Sequence, residues 1–312
     1  MIDFTNMPHR NKTYAGANGS KISVIYNDEL YMLKFPAPPT RKTDLSYANS
    51  CISEYIGCKI FASVGIPTQE VLLGTYTTGA GKEKVVVACK DFTASGLVLQ
   101  DFASLKNQIV DSERNGYGTE LSDILETFEQ QVALDSQELK ERFWDMFIVD
   151  ALIGNWDRHN GNWGFLYDMK TDSMSLAPVF DCGSSLFPQA DVEKMQKALT
   201  NRGELNNRIY AIPTSAIKQN GERINYFDFI SSLENKDCNL ALSRIKERID
   251  MEKINAIIEE TPFITDLQKT FLKTILSERN EKILDYSLKR LRKREHSNSQ
   301  NKKKTESAGY DT

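Results

Sequence analysis

The sequence has no apolar run near the roughly 18 residues that a membrane-spanning helix requires, so we expect no integral membrane contact. Its start, MIDFTNMPHR, lacks a charged segment followed by an apolar one, so we expect no Sec signal peptide and a cytoplasmic location in the producing cell. Cysteines are odd in number and form no CxxC pair, which favours reduced thiols and disfavours a zinc site. A net charge of −4 argues against nucleic-acid binding across the whole surface. The cysteines are Cys51, Cys58, Cys89, Cys182 and Cys238.

Apolar residues suffice for a sizeable core, because 40% of the 312 residues are hydrophobic and 10% are aromatic. The N-terminal part predicts a small sheet with one helix, and Asn27-Asp28-Glu29 between two β-rich runs indicates a hairpin turn. The predicted strands are 21–26, 30–35, 71–77 and 84–89, and the predicted helix is 45–63.

From about Val98 the pattern becomes helical. The clearest helix is predicted over Ser136–Ile153, where apolar residues repeat at helical spacing and Asp135 or Ser136 supplies a cap. Two short runs, 162–167 and 176–180, predict a second hairpin that leads into Asp-Cys-Gly.

The end of the chain differs from the rest in composition. KRLRKREHSNSQNKKKTESAGYDT, from Lys289, has two basic clusters and no apolar pattern, which predicts disorder. The basic clusters are compatible with a nuclear-localisation-like signal, with contact to an anionic membrane or RNA, or with a merely solvated end. We therefore predict an α+β chain with a β-rich N-lobe at 1–92, a helical C-lobe at 93–291 and a basic tail at 292–312.

One stretch, LIGNWDRHNGNWGFL at 152–166, concentrates an acid, an imidazole and an amide within six residues. A surface turn or the end of a helix would also account for Asn, Gly and Asp here. Asp157, Asn162 and the later Asp181 together supply two carboxylates and an amide oxygen, which suit a hard cation such as Mg²⁺. One acid can then accept a hydroxyl proton while the other holds metal.

Three features of the N-lobe point to the same chemistry. The loop 14–20, YAGANGS, is rich in glycine, and its amides can form an anion-binding concavity, although it also fits an ordinary turn. Lys34 lies in the apolar run YMLKF, either as a charge that protects a sheet edge or as a phosphate-binding group. Glu54 lies on the predicted helix among apolar residues, where a carboxylate that faces the sheet needs a cation such as Lys34.

These motifs resemble the HipA-like serine/threonine kinases. ALIGNWDRHNGNWGFL after a helix rich in Phe and Trp resembles the catalytic segment of that family, which shares the Asp-Arg-His order where protein kinases in general have His-Arg-Asp. TYAGANGSK resembles its N-lobe loop, and SEYIGCKIFASVGIP resembles the helix that carries the partner of the lysine. The resemblance covers about residues 13–186 and implies a bilobal protein-kinase-like fold.

The resemblance also implies a role for each motif residue. Asp157 would be the catalytic base, Asn162 and Asp181 would hold Mg²⁺, and Lys34, positioned by Glu54, would hold the phosphates of ATP. His159 would support the catalytic loop. The backbone of the loop residues Gly16, Ala17, Asn18, Gly19 and Ser20 would cover the phosphates, and that of Ala88, Cys89, Lys90, Asp91 and Phe92 would bind adenine.

The family resemblance also predicts partners. In this family a hydroxyl residue just ahead of the glycine loop is autophosphorylated and the loop is then expelled; here Thr13 aligns with it, and Ser20 and Ser23 are rival acceptors. The other expected partner is a protein with a Ser or Thr acceptor. We expect contact with nucleic acid only through the basic tail. The small size and early start resemble the stand-alone, cell-translocating type, for which a non-Sec route into host cells is implied, whereas a toxin–antitoxin role would need a further N-terminal subdomain.

Two alternatives remain open. Phosphoinositide kinases also have the Asp-Arg-His order, so a lipid or small-molecule kinase is compatible with the same core, although the segment after Asp181 lacks a basic cluster for an anionic headgroup. A pseudokinase that only binds a partner would require the loss of Lys34, Asp157, Asn162 or Asp181, and all four are present.

Overall fold

The computed structural model describes residues 1–14, 21–36, 49–93, 95–109 and 116–308, with the backbone alone for 301–308. The loop residues Gly16 to Ser20 and the first part of the predicted helix, 45–48, lie outside these ranges. All five cysteines lie inside them and are free and buried.

The N-terminal part forms a mixed sheet in the order β1-β5-β6-β4-β3-β2. Asn27 and Asp28 both have positive φ angles in the turn between β3 and β4, as a two-residue hairpin with a right-handed twist requires, so the predicted hairpin is confirmed. The strands are β1 (Ile2–Asp3), β2 (His9–Arg10), β3 (Lys21–Tyr26), β4 (Glu29–Lys34), β5 (Val71–Thr77) and β6 (Glu83–Lys90).

The helix α1 (Ser50–Ser63) packs against β5 and β6. Buried residues lie all around it rather than on one stripe, because the sheet covers one side and the helical part of the chain covers the other. Glu54 is therefore buried, with 1% of its surface exposed, so its carboxylate faces the interior and not solvent.

The segment after the first sheet corrects the sequence prediction. Residues from Val98 were expected to be helical, but Leu97–Asp101 is a strand, β7, that pairs antiparallel with β8 (Gly164–Asp168), which pairs in turn with β9 (Ser173–Leu176). A short apolar run such as LVL is compatible with a helix or a strand, and here the pairing with β8 makes it a strand. The predicted second hairpin is present, but its return strand is Ser173–Leu176 and shares only Leu176 with the predicted run 176–180.

The rest of the chain is mainly helical. The helix α4 (Ser136–Ile153) has the predicted bounds, begins where the Asp135 side chain accepts a hydrogen bond from Glu138 N–H at 2.8 Å, and ends at Gly154 in the left-handed conformation. The other helices are α2 (Phe102–Ile109), α3 (Leu121–Gln130), α5 (Val192–Thr200), α6 (Arg202–Asn206), α7 (Tyr226–Ser232), α8 (Lys236–Lys246), α9 (Met251–Glu260), α10 (Asp266–Arg279) and α11 (Tyr286–Ala308), with π-helical turns at Asn207–Ala211 and Asn280–Asp285 and a small β10–β11 ribbon (Lys218–Gln219, Glu222–Arg223).

The main core surrounds α4, whose residues from Phe143 to Ile153 are all buried. It continues across α1, so the Glu54 helix and the helix that precedes the catalytic segment belong to one packed body. This confirms the α+β fold with a β-sheet N-terminal region and a helical C-terminal region. The predicted boundaries at residues 92 and 291 stay predictions. Among the described residues, none of the helices is apolar over a length that could cross a bilayer.

The helix α11 extends into the tail for which the sequence predicts disorder. Arg290 and Arg294 donate to the carbonyls of Ser231 and Leu233, both at 2.8 Å, and Leu291 is buried, whereas residues 292–300 are exposed. The helix is thus fixed to the body near its beginning, and the predicted disorder of the tail stays a prediction.

We expect deletion of residues 295–312 to change the free energy of unfolding by less than about 0.5 kcal/mol, since residues 295–300 are exposed and exposed residues contribute little. Deletion of residues 289–312 is the matched control. It also removes Leu291 and both arginine contacts, so we expect a loss of about 2–4 kcal/mol. Urea denaturation of both variants measures the difference, and equal losses would show that the distal tail docks on the body.

Candidate functional site

A cleft of about 790 Å³ lies between the N-terminal sheet and the helical part. Strands β3 and β4 line one wall, and the loops that follow α4 and β9 line the other. The predicted site residues that line this cleft are Thr13, Lys34, Asp91, Phe92, Asp157, His159, Asn162 and Asp181. Ala88 and Cys89 are fully buried in β6, below this surface.

Lys34 joins the two walls of the cleft. Its ammonium group lies 3.1 Å from Glu54 Oε1 and 3.1 Å from Asp181 Oδ1, so the predicted pair with Glu54 is present and Asp181 completes a triangle. Burial alone would lower the pKa of Lys34, but the charges of Asp181 and Glu54 outweigh burial and raise it well above its usual value. Lys34 is therefore a permanent cation at this point.

The position of Asp181 depends on a backbone hydrogen bond as well as on the charge of its side chain. Its N–H donates to Glu54 Oε1 at 3.1 Å, and its φ of 60° places a non-glycine residue in the left-handed region. Burial would raise the pKa of Asp181, but Lys34 outweighs it and holds the pKa below the usual value. Gly183 comes two residues later. A Cβ added to Gly183 would lie 3.1 Å from Glu54 Oε2, so the glycine allows α1 to approach this loop closely.

The catalytic segment is a tight loop that hydrogen-bonds to itself. Asn162 Nδ2 donates to the Asp157 carbonyl at 2.8 Å, and Gly161 N–H donates to His159 Nδ1 at 3.0 Å. Because Nδ1 accepts, the hydrogen of a neutral imidazole is on Nε2, which lies 4.0 Å from Asp157 Oδ1. His159 therefore presents an N–H toward the carboxylate and supports the loop.

Asp157 is partly exposed at the bottom of the cleft. Burial raises the pKa of Asp157 and the nearby Asp181 adds to this, whereas His159 opposes it. A carboxylate with a raised pKa is a better proton acceptor than an ordinary surface aspartate, and a pKa closer to the working pH suits a general base.

Arg158, between Asp157 and His159, is buried and holds three segments together. Its guanidinium donates to the Asp150 carboxylate of α4 at 3.0 and 3.3 Å and to the Asn162 carbonyl at 2.9 Å. It also donates to the carbonyl of Phe180 and to Cys182 Sγ, on either side of Asp181. The sequence analysis did not identify Arg158, because nothing about a single arginine beside an aspartate indicates that its side chain is buried.

The oxygen atoms at the bottom of the cleft fit a hard divalent cation. Since the amide nitrogen of Asn162 is engaged with the Asp157 carbonyl, its Oδ1 is the atom left to act as a ligand. The Asp181 carboxylate uses Oδ1 for Lys34 and has a second oxygen. A carboxylate and an amide oxygen, completed by phosphates and water, are the set that Mg²⁺ accepts.

The glycine-rich loop itself lies outside the described residues, but the strand that follows it adds a lysine that sequence reasoning missed. Lys21 stands opposite Lys34 across the β3–β4 pair, so both side chains point to the same face, and both line the cleft. Burial, together with the charge of Lys34, lowers the pKa of Lys21. Two cations close to one wall favour an anionic ligand there.

Two backbone amides of the segment predicted to bind adenine, residues 88–92, already have hydrogen-bond partners. The N–H groups of Lys90 and Asp91 already donate to the carbonyls of Glu70 and Leu30, both at 2.8 Å. These two amides are therefore already engaged, and the adenine contact predicted for residues 88–92 stays a prediction.

Comparison with known proteins gives one consistent result. Residues 10–261 match the family model described as HipA-like C-terminal domain. The serine/threonine-protein kinase CtkA of Helicobacter pylori strain J99 is 51% identical over 286 residues, which cover 91% of this chain and 86% of that protein.

Solved structures agree with this match. The crystal structure of a Helicobacter pylori proinflammatory kinase CtkA superimposes with a TM-score of 0.86 at 49% identity, covering 93% of this chain and 98% of that one. HipA of Shewanella oneidensis MR-1, solved with HipB and operator DNA, has a TM-score of 0.55 at 16% identity, covers 89% and 67% of the two chains, and shares the fold alone.

The Arg158 network generates a prediction about stability. We expect Arg158→Met to lower the free energy of unfolding by about 3–5 kcal/mol, because it leaves the Asp150 carboxylate buried without its cation. The matched control is Arg202→Met, which breaks an ion pair with Glu278 whose arginine side chain is 64% exposed and should cost about 1 kcal/mol or less. Urea denaturation measures both, and similar losses would contradict the special position of Arg158.

Proposed function

Because this chain belongs to the family of HipA-like C-terminal domains and is a serine/threonine protein kinase of that family, we propose that it transfers the γ-phosphate of ATP in a Mg²⁺-dependent reaction. The proposal rests on how the charged and polar side chains of one cleft are arranged. Lys34, Glu54 and Asp181 form a charged triangle beside Asp157 and Asn162. This is the set of groups that phosphoryl transfer requires.

The lysines act on the nucleotide. Lys34 is fixed by Glu54 and Asp181, so its ammonium group meets the α- and β-phosphates without first losing the entropy of a free side chain. Lys21, on the same wall, adds a second positive charge for the phosphates. The segment 88–92 contacts the adenine.

Asp157 acts on the acceptor. Its carboxylate accepts the proton of the Ser or Thr hydroxyl and orients the oxygen toward the γ-phosphate, while the Nε2–H of His159 helps to keep it in place. Asn162 and Asp181 would hold Mg²⁺, which neutralises charge on the phosphates when bound. Arg158 keeps Asp157 and Asp181 at a constant separation through the carbonyls that it binds.

The name of the relative at 51% identity, a serine/threonine-protein kinase, favours a protein acceptor over the phosphoinositide or small-molecule acceptor that the sequence left open. The related Helicobacter pylori enzyme is a proinflammatory kinase, and we extend that role to this chain as a kinase that acts on host-cell proteins. Comparing the phosphoproteins of host cells that contain the wild type with those that contain Asp157→Asn tests this extension.

The two carboxylates give a matched pair of variants. We expect Asp157→Asn to lower kcat by about 10²–10⁴-fold while the Kd for Mg·ATP changes less than about threefold, because this residue acts on the acceptor. We expect Asp181→Asn to weaken nucleotide binding strongly in Mg²⁺ and little in EDTA, because this residue holds the metal.

Calorimetric titration with and without Mg²⁺ separates the two effects. If Asp157→Asn loses affinity and turnover equally, the role proposed for Asp157 is wrong. If Asp181→Asn binds Mg·ATP as the wild type does, the role proposed for Asp181 is wrong.

Autophosphorylation is the second part of the proposal. Of the candidate acceptors, Thr13 is exposed and lines the cleft, Ser23 is 2% exposed within β3, and Ser20 lies outside the described residues. A phosphate at Thr13 would place nearly two negative charges beside the ATP phosphates and should oppose nucleotide binding.

We expect mass spectrometry after incubation with Mg·ATP to find phosphate on Thr13 and none on Ser23. Mixing the wild type with Asp157→Asn should label Thr13 of the inactive copy, because a hydroxyl in its own cleft cannot readily reach the phosphate that it covers. Phosphate found only at other positions, or a Thr13→Asp variant with undiminished ATP affinity, would refute this mechanism.

A further inference from the structure

The strand β7 (Leu97–Asp101) lies at the edge of its sheet and borders the cleft. The order of that sheet is β7-β8-β9, so among the described residues β7 pairs with β8 alone. Three consecutive residues, Leu97, Val98 and Leu99, line the cleft, although successive side chains of a strand point to opposite faces. The cleft is therefore bordered by the edge of β7 and not by one of its faces.

The hydrogen-bond pattern shows which backbone groups of β7 point to this edge. Phe102 N–H donates to the Trp163 carbonyl at 3.0 Å, and bonded and non-bonded pairs alternate along an antiparallel ladder. Every second residue counted back from Phe102 therefore bonds to β8, and the residues between them face the open edge. The backbone groups that face the open edge are those of Leu97, Leu99 and Asp101. For Leu97 and Leu99, the described residues supply no hydrogen-bond partner at this edge.

The edge is also apolar and exposed. Val98 and Leu99 have 39% and 37% of their surface exposed. Proteins commonly protect a sheet edge with a lysine, a proline or a covering element, because an open edge pairs readily with another extended chain. The strand reads LVLQD and contains neither lysine nor proline. Such an edge is suited to binding an extended segment of a partner.

The end of β7 leads to the catalytic loop. Asp101 lies opposite Gly164, the first residue of the strand that follows this loop. The Tyr117 hydroxyl donates to Asp101 Oδ2 at 3.2 Å, and the Tyr117 ring packs edge-on to His159 with 6.5 Å between centroids. A segment paired with β7 would therefore extend past Asp101 toward the catalytic loop.

We propose that β7 is the docking edge for the acceptor: an extended segment of the protein substrate adds to β7 as a further strand, and this pairing brings its Ser or Thr hydroxyl to Asp157. The proposal rests on the proposed function, because it uses Asp157 as the group that orients the hydroxyl. The acceptor backbone bonds to Leu97 and Leu99, and its apolar side chains pack on Val98 and Leu99. Main-chain pairing selects for an extended conformation more than for one sequence.

A proline at position 99 tests the edge without removing a bond to β8. Leu99→Pro removes an N–H that points outward, and edge strands tolerate proline where this is so. Leu99→Ala is the reference, because it also loses most of the leucine side chain but keeps the N–H. We expect Leu99→Pro to raise KM for a peptide acceptor about three- to tenfold over Leu99→Ala, as the loss of one backbone hydrogen bond predicts. The kcat and the Kd for Mg·ATP should change less than about twofold.

The acceptor in this test is the peptide that the wild type phosphorylates best from a library of random peptides with a central Ser or Thr. Copies of this peptide with one N-methylated residue each test the pairing from the other side. If the peptide pairs with β7, methylation should raise KM at every second position and have little effect between them, because alternate residues of a strand bond to its neighbour. This series decides the matter even if Leu99→Pro does not fold.

The opposite edge of the same sheet provides a matched control. Ala177 N–H donates to the Gly164 carbonyl at 3.0 Å, so the same alternation makes the backbone of Met174 in β9 point away from β8. None of the described residues of β9 lines the cleft. Met174→Pro and Met174→Ala should therefore have equal KM values for the peptide.

Each outcome bears on the proposal. Equal KM values for Leu99→Pro and Leu99→Ala, or an N-methyl series without alternation, would refute docking on β7. A loss of Mg·ATP affinity in Leu99→Pro alone would also refute it, because the edge would then bind the nucleotide. If the wild type binds Mg·ATP but phosphorylates no peptide of the library, docking of an extended segment is refuted while nucleotide binding stands. If it neither binds Mg·ATP nor transfers phosphate, the proposed function fails as well.

Discussion

The positions of Asp157 and Asp181 in the cleft depend on the buried guanidinium of Arg158. A cation taken out of water is costly unless its donors are satisfied, and here Asp150 supplies the charge while the carbonyls of Asn162 and Phe180 supply further acceptors. Since Asp150 lies on α4, whose residues from Phe143 to Ile153 are all buried, the loops of Asp157 and Asp181 are both anchored to the core. Small shifts of either loop would break bonds that water cannot replace.

The charges on the sheet side follow a different rule. Lys34 serves two carboxylates at once, and Glu54 Oε2 has no hydrogen-bond partner among the described residues. A buried carboxylate oxygen without a donor is destabilising by itself. We therefore interpret the arrangement of Lys34, Glu54 and Asp181 as suited to binding a ligand rather than to stabilising the chain. Bound phosphates and a divalent cation would change the balance of charge among these three groups.

Features set by local sequence could be predicted, and features set by tertiary contact could not. The hairpin at Asn27-Asp28 and the bounds of α4 follow from residues adjacent in the chain, and the approach of Glu54 to Lys34 followed from the need to pair a carboxylate among apolar neighbours. The strand β7 was missed because its partner β8 lies more than sixty residues later. Arg158 was missed because burial is not visible in one chain segment. Lys21 was missed even though the two-residue turn sets the register of β3 and β4, since the sequence does not show that this end of the hairpin lines a cleft.

The two sides of the cleft differ in how firmly they are held, and this determines where it can open. The catalytic loop is tied by buried bonds from Arg158 and by Asn160, which is fully buried and donates to the carbonyls of Gly116 and Gly118 at 2.9 and 2.8 Å. The segment of Lys12 and Tyr14 depends on contacts with Asp91, and its lysine is 36% exposed. Exposed contacts exchange with water at low cost, so local opening should begin there. Opening at Lys12 and Tyr14 would leave the loops of Asp157 and Asp181 in place, because their buried bonds to Arg158 are not affected.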